Sequence, residues 1–238
     1  MSDLVKSRPF STNAFLTLIS ITAVLVVIHL FLQYINLIVY EEQNGALFEL
    51  SNRLDMDDEI SIPSWFSQML LLLVAAAAGL AAWLDRMKPS SKFWWTIAVI
   101  GLLASIDEGA ATHEFSLQTI HNFVYGDISP SLLVNAWLVV LPLLATLAFL
   151  LARWGWRVLP KKTFWLFMAG GAVFMTGAVF FDWLISDVDP ATYLSQGILV
   201  AMEETLEMVG TAIIIYAILG YLEVEHKAKI SQALSRLG

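Results

Sequence analysis

Gly197-Ile-Leu-Val-Ala-Met-Glu203-Glu204-Thr-Leu-Glu207-Met-Val-Gly-Thr-Ala-Ile-Ile-Ile-Tyr-Ala-Ile-Leu219 is the stretch on which the reading of this chain turns. Its length and apolar content suit a bilayer-spanning helix, which needs about 20 residues. Three carboxylates stand inside it, and an ionised carboxylate in hydrocarbon costs several kcal/mol or more. A second stretch repeats the conflict: Ser105-Ile-Asp107-Glu108-Gly-Ala-Ala-Thr-His113-Glu114 follows the apolar run Trp94–Ala104. Such groups need a cation, a shared proton or water, and an intramembrane acid marks a functional site by default.

Working outward, similar apolar stretches recur along the chain near Asn13–Tyr40, Ser64–Leu84, Phe93–Phe123, Leu132–Ala152, Phe164–Ile185 and Leu194–Tyr221. The 238 residues are 58% hydrophobic and only 14% charged, with a mean hydropathy of +0.71, far from soluble usage. The expected fold is therefore all-α: a polytopic membrane bundle of about six transmembrane helices forming one domain over residues 1–238. The first segment is too long for a signal-peptide core and lacks a small-residue cleavage pattern, so it is expected to be retained.

Basic residues in short loops set orientation. Lys6, Arg8, Arg86, Lys88, Lys92, Arg153, Arg157, Lys161, Lys162, Lys227, Lys229 and Arg236 all fall on one side. The alternate loops contain a single basic residue, Arg53. Both termini are thus expected in the cytoplasm, with an acidic outer loop at 41–63. Within that loop Ala46–Leu54 has helical apolar spacing and suits the membrane interface. The net charge of −8 comes mostly from the outer side and reads first as a solvated acidic face. No basic patch supports nucleic-acid binding. With no cysteine, thiolate-ligated cofactors and disulfides are excluded.

On a continuous third helix Asp107, Glu114, Gln118 and His121 form one stripe, flanked by Glu108 and His113. The alternative is a break near Gly109, tolerable only where the backbone lines protein or water. On the sixth helix Glu203 and Glu207 share a face beside Glu204. On the first, His29, Gln33, Asn36 and Tyr40 fall together, and helical rise puts His29 and Glu203 at a similar depth, about 16 Å below the outer surface. Carboxylates and imidazoles at that density suit a ferritin-like di-metal centre. The candidate ligands are Asp107, Glu108, His113, Glu114, Glu203, Glu204, Glu207 and His29, with His121, Gln118, Gln33 and Tyr40 as supporting residues. The metals expected are di-iron or di-manganese, with zinc as a variant. The Glu-x-x-His spacing of known sites occurs only at Glu223–His226, in the tail, so the likeness is one of ligand logic.

The paired DE…HE and EE…E helices resemble uncharacterised bacterial multipass inner-membrane proteins. That resemblance rests on Ser105–Glu114, Glu203–Gly210 and the six-helix layout. It implies a bacterial inner-membrane location and a joint site, and no activity.

Plainer roles cover other residues. His226 reads as a solvated tail residue, His121 as a surface or capping residue, and Asp182 as a structural hydrogen-bonding group. Asn135 and Thr176 are ordinary interhelical donors, and Gly170-Gly171 permits close packing. Trp94, Trp95, Trp154 and Trp156 read as an inner aromatic belt, with Trp65 and Trp183 at the outer one.

Three functions follow. The first is a membrane di-metal oxidoreductase acting on an apolar substrate such as a lipid, isoprenoid or quinone, favoured over a metal-dependent hydrolase. The second is a proton- or cation-translocating carrier. The third is a structural or assembly subunit, whose partner would be a second copy or another membrane protein.

Overall fold

The computed structural model describes residues 8–38, 45–110, 133–181, 184–185 and 193–234. These residues form helices and connecting turns, without a strand among them. In chain order the helices are α1 (Phe10–Ile38), α2 (Ala46–Arg53), α3 (Ile62–Leu84), α4 (Ser90–Ala110), α5 (Leu133–Val158), α6 (Lys161–Met175) and α7 (Tyr193–Leu234). A π-helical segment, Thr176–Phe181, continues α6. With that segment counted as part of α6, all but α2 contain a stretch long and apolar enough to cross a membrane. Only a structure that closes its own backbone hydrogen bonds is tolerable there, so helices are the expected solution.

Local chemistry sets the ends. Ser61 caps α3 by accepting the Ser64 N–H at 3.2 Å, and Pro63 occupies a first-turn position where its missing N–H costs nothing. Asp85 ends α3, and a three-residue-spaced turn, with the Lys88 N–H on the Asp85 carbonyl at 2.6 Å, leads into α4. Helix α4 runs unbroken through Gly109 to Ala110; the expected continuation to Phe123 lies outside the described residues.

Helices α3 and α4 form an antiparallel hairpin whose seam is built from Val74, Ala78, Ala81 and Ala82 against Phe93, Ile97 and Ala98. Helix α7 packs against α1, α3 and α6. Its fully buried Met208, Ala212 and Ile218 form the inward stripe. Against α6 the backbones themselves touch: a Cβ on Gly210 would meet Phe174 N, Gly170 O at 2.7 Å and Phe174 Cα at 2.8 Å. Small residues permit this approach where no hydrophobic driving force separates helix from lipid. Of the expected Gly170-Gly171 pair only Gly170 does so, since Gly171 has nothing within 4 Å.

Large apolar side chains on the perimeter stay exposed, among them Val27, Phe31, Leu103, Leu143 and Phe149, as lipid-facing positions would. At one end an aromatic cluster fills the bundle: Phe93 meets Trp154 at 5.6 Å and Phe167 at 5.9 Å, and Trp94 meets Tyr221 at 5.1 Å. Trp94 is 0% exposed. It belongs to the core and not to the aromatic belt expected of it, because the α3–α4 hairpin turns that face inward. Trp95 and Trp156 do stand exposed.

Candidate functional site

Antiparallel pairing of α1 with α7 fixes two polar levels. At one, Ser11 donates to Glu223 through both its N–H (3.2 Å) and its hydroxyl; this is called the termini end. At the other, His29 lies beside Gly197; this is the far end.

The acidic turn of α7 lies toward the far end. Glu207 is buried, while Glu203 and Glu204 are half-buried, as are Asp107 and Glu108 at the end of α4. Glu204 feels the charges of Glu207, Glu108 and Glu203 and of Glu59 from the loop before α3. Its Oε2 is buried with no hydrogen-bond partner. The structure thus brings α4 and α7 acids into one electrostatic neighbourhood and adds Glu59, a loop residue that spacing along helices could not reveal. Across from them stands the π-helical segment of α6. A Cβ on Gly177 would meet Glu203 O at 2.6 Å and Glu207 Cγ at 2.9 Å. The missing side chain lets α6 lie directly on the acidic turn, at a helical irregularity of the kind that recurs at functional sites.

His29 is 1% exposed and is held differently. Its Nε2 lies 3.4 Å from the Gly197 carbonyl. Its Nδ1 lies 3.1 Å from Met56 N and 3.3 Å from Asp55 Oδ1. Unprotonated, Nδ1 accepts the Met56 N–H; protonated, it donates to Asp55; it cannot do both. Gln33 also reaches Asp55, at 3.4 Å. Burial pushes the Asp55 carboxyl up, but the His29 imidazole, the Asp57 N–H and Gln33 outweigh it and hold the group below its ordinary range. His29 and Gln33 therefore clamp α1 to the loop and to α7. Both ring nitrogens are engaged there.

Among the described residues no three His, Asp or Glu side chains converge as a metal-holding group. Of the other candidates, His113, Glu114, Gln118, His121 and Tyr40 lie outside the described residues, as do Asp182 and Trp183.

At the termini end the structure holds a polar centre that the sequence did not disclose. Asp85 is 0% exposed and His226 2%. The carboxylate accepts from Ser90 Oγ at 2.6 Å and from the Tyr221 hydroxyl, and it meets His226 Nε2 at 2.8 Å. Lys88 Nζ sits 3.3 Å away and bridges to Glu225 at 3.2 Å. Burial pushes the Asp85 carboxyl up; hydrogen bonds from Ser90, Tyr221 and Lys88 and the Lys88 charge outweigh it and hold the group below its ordinary range. Lys88 is raised in turn: burial opposes its charge, but Glu225 and Asp85 favour it.

His226 is thus no solvated tail residue. Helix α7 continues past the apolar run, and Glu223 and Glu225 pair with Ser11 and Lys88. A signal existed: Met208, Thr211, Ile215, Ile218 and Leu222 recede at helical spacing, and His226 falls next on that stripe. Asp85 was legible only as the one acid in an otherwise basic turn.

No curated protein and no solved structure matches the chain. A family model matches residues 18–221, which takes in His29, the α4 and α7 acids of the far end and the Asp85 turn but stops short of Glu223, Glu225 and His226, and the chain belongs to that family, described as a domain of unknown function, DUF8692.

Proposed function

We propose that this protein is a multipass membrane metalloprotein with both termini in the cytoplasm of a bacterial cell. Its α4 and α7 carboxylates hold a di-iron or di-manganese centre that oxidises or reduces an apolar substrate entering from the outer half of the bilayer. The observation that supports this reading is Glu204, with a buried oxygen lacking any hydrogen-bond partner and Glu108, Glu203, Glu207 and Glu59 around it. So many carboxylates in a low-dielectric setting need positive charge. Two dications held by these carboxylates would supply it. Asp107 joins through α4, and His113 and Glu114 would complete the donor set. His29 serves as an anchor of α1 in this scheme unless it leaves Met56.

The same orphaned oxygen suits a second reading, in which the acids share protons and the protein carries protons or cations. Elemental analysis of protein purified in mild detergent separates the two. The metal reading expects about two equivalents of iron or manganese, largely lost in Glu204→Gln and Glu203→Ala. Metal-free protein whose melting is unchanged by chelator, and which passes protons in vesicles, refutes it in favour of the carrier.

A further inference from the structure

The α3–α4 turn, the α5–α6 turn and α7 line an open cleft of about 390 Å³ at the termini end. Lys88, Ser90, Arg157, Tyr221 and Glu225 form its polar wall, with Leu159 on the apolar side. The charges here are unequally engaged. Asp85, behind the cleft, is saturated by Ser90, Tyr221, His226 and Lys88. Lys88 is shared between Asp85 and Glu225. Arg157 makes no ion pair with a described residue. The walls therefore offer one uncommitted guanidinium, one partly committed ammonium and one partly exposed carboxylate.

Depth along the bundle adds a second constraint. Trp95, Trp156 and Trp165 are 52%, 48% and 62% exposed beside this end, and Lys161 Nζ stacks 3.0 Å over the Trp156 ring. Exposed tryptophans with basic residues mark the headgroup level of a bilayer. The cleft therefore opens where lipid headgroups lie.

We propose that this cleft binds the headgroup of a zwitterionic aminophospholipid, with its phosphodiester on Arg157 and Lys88 and its ammonium on Glu225. A guanidinium suits a phosphodiester through paired, charge-assisted hydrogen bonds. Glu225 selects against a purely anionic headgroup, which brings no cation to it and is repelled. Leu159 faces the start of the lipid's apolar part. The proposal concerns a site separate from the carboxylate cluster and stands independently of its metal.

Native mass spectrometry of the full chain in detergent tests it, with dioleoyl phosphatidylethanolamine, dioleoyl phosphatidylglycerol and soluble phosphoethanolamine as probes. One phosphatidylethanolamine should bind in preference to phosphatidylglycerol. Arg157→Gln should weaken it about tenfold, the scale of one charge-assisted contact. Arg153→Gln, one turn away and off the cleft, should leave binding unchanged. Glu225→Gln should abolish the preference between the two lipids, and it decides the matter if Arg157→Gln does not fold. Equal binding by both arginine variants overturns the site. Phosphatidylglycerol binding as well as phosphatidylethanolamine to the unmodified chain overturns the role of Glu225. Phosphoethanolamine binding as tightly as the lipid makes a free phosphate ester the ligand and overturns the lipid.

Discussion

Replacing Asp85 with alanine should do more damage than any other single change at the termini end. The carboxylate is fully buried and holds Ser90, Tyr221 and His226 at once. Its loss leaves two hydroxyls and an imidazole on buried residues without their acceptor. Each stranded buried group costs about 1–3 kcal/mol, and removing one side of a buried ion pair costs about 3–5 kcal/mol. Lys88 recovers water, being 44% exposed, so the combined loss should settle near 4 kcal/mol. For a chain of this size that corresponds to about 10 °C in melting temperature, read by tryptophan fluorescence in detergent. Asp85→Asn keeps the shape and one acceptor and should lose about half as much. The sign with pH follows from the carboxyl being held below its ordinary range. Its stabilisation is present above the unfolded-state value of about 3.9 and is lost as pH falls through the folded value. The gap between unmodified protein and Asp85→Asn should therefore be full at pH 7 and begin to narrow below about pH 4. A gap that stays constant from pH 7 to pH 3, or an alanine variant melting within 3 °C of the unmodified chain, would refute the network's role.

Gly210→Ala should destabilise by about 2 kcal/mol or more, because the new Cβ meets α6 backbone that cannot move aside. Gly171→Ala, with open space around it, should be neutral or gain up to about 1 kcal/mol in the same melts; equal losses at both positions would contradict the close crossing. His29→Ala leaves the Met56 N–H without its acceptor and should speed proteolysis near Asp57 about tenfold, the effect of roughly 1.4 kcal/mol of local stability. Unchanged cleavage would mean the clamp holds nothing. Because the chain has no cysteine, Asp57→Cys and Lys92→Cys report topology directly. An impermeant maleimide should label the first on intact cells and not the second, and the reverse pattern would invert the proposed orientation.

The spanning helices were legible because their signal is crude: long apolar runs punctuated by charged turns, as at Asp85–Ser90. The carboxylate grouping of α4 with α7 was legible because a buried charge advertises its own cost. What escaped was everything that depends on which faces meet. Trp94 looks like any interfacial tryptophan until the hairpin turns it inward. His226 lies past the apolar run, where hydropathy stops speaking, and only the onward helical phase of α7 carries it to Asp85. His29 was placed at the depth of Glu203, yet depth does not choose a neighbour; the loop residues Asp55 and Met56 reached it first. Glu59 is a residue of an irregular loop, so no periodicity could bring it to Glu204.

Helix α7 has a mechanical consequence. Its 42 residues, at about 1.5 Å each, make a strut of about 63 Å, roughly twice the hydrocarbon thickness. Glu204 lies about a quarter of the way along the apolar span Gln196–Lys227 and His226 at its other end, separated by about 33 Å of uninterrupted helix. A strut of that length works as a lever. A tilt of about 5° pivoting at the acidic turn would carry the His226 turn sideways by about 3 Å, enough to part the imidazole from Asp85. A stiff α7 would therefore carry any such tilt at the acidic turn straight to the lock that ties the helix to the α3–α4 turn.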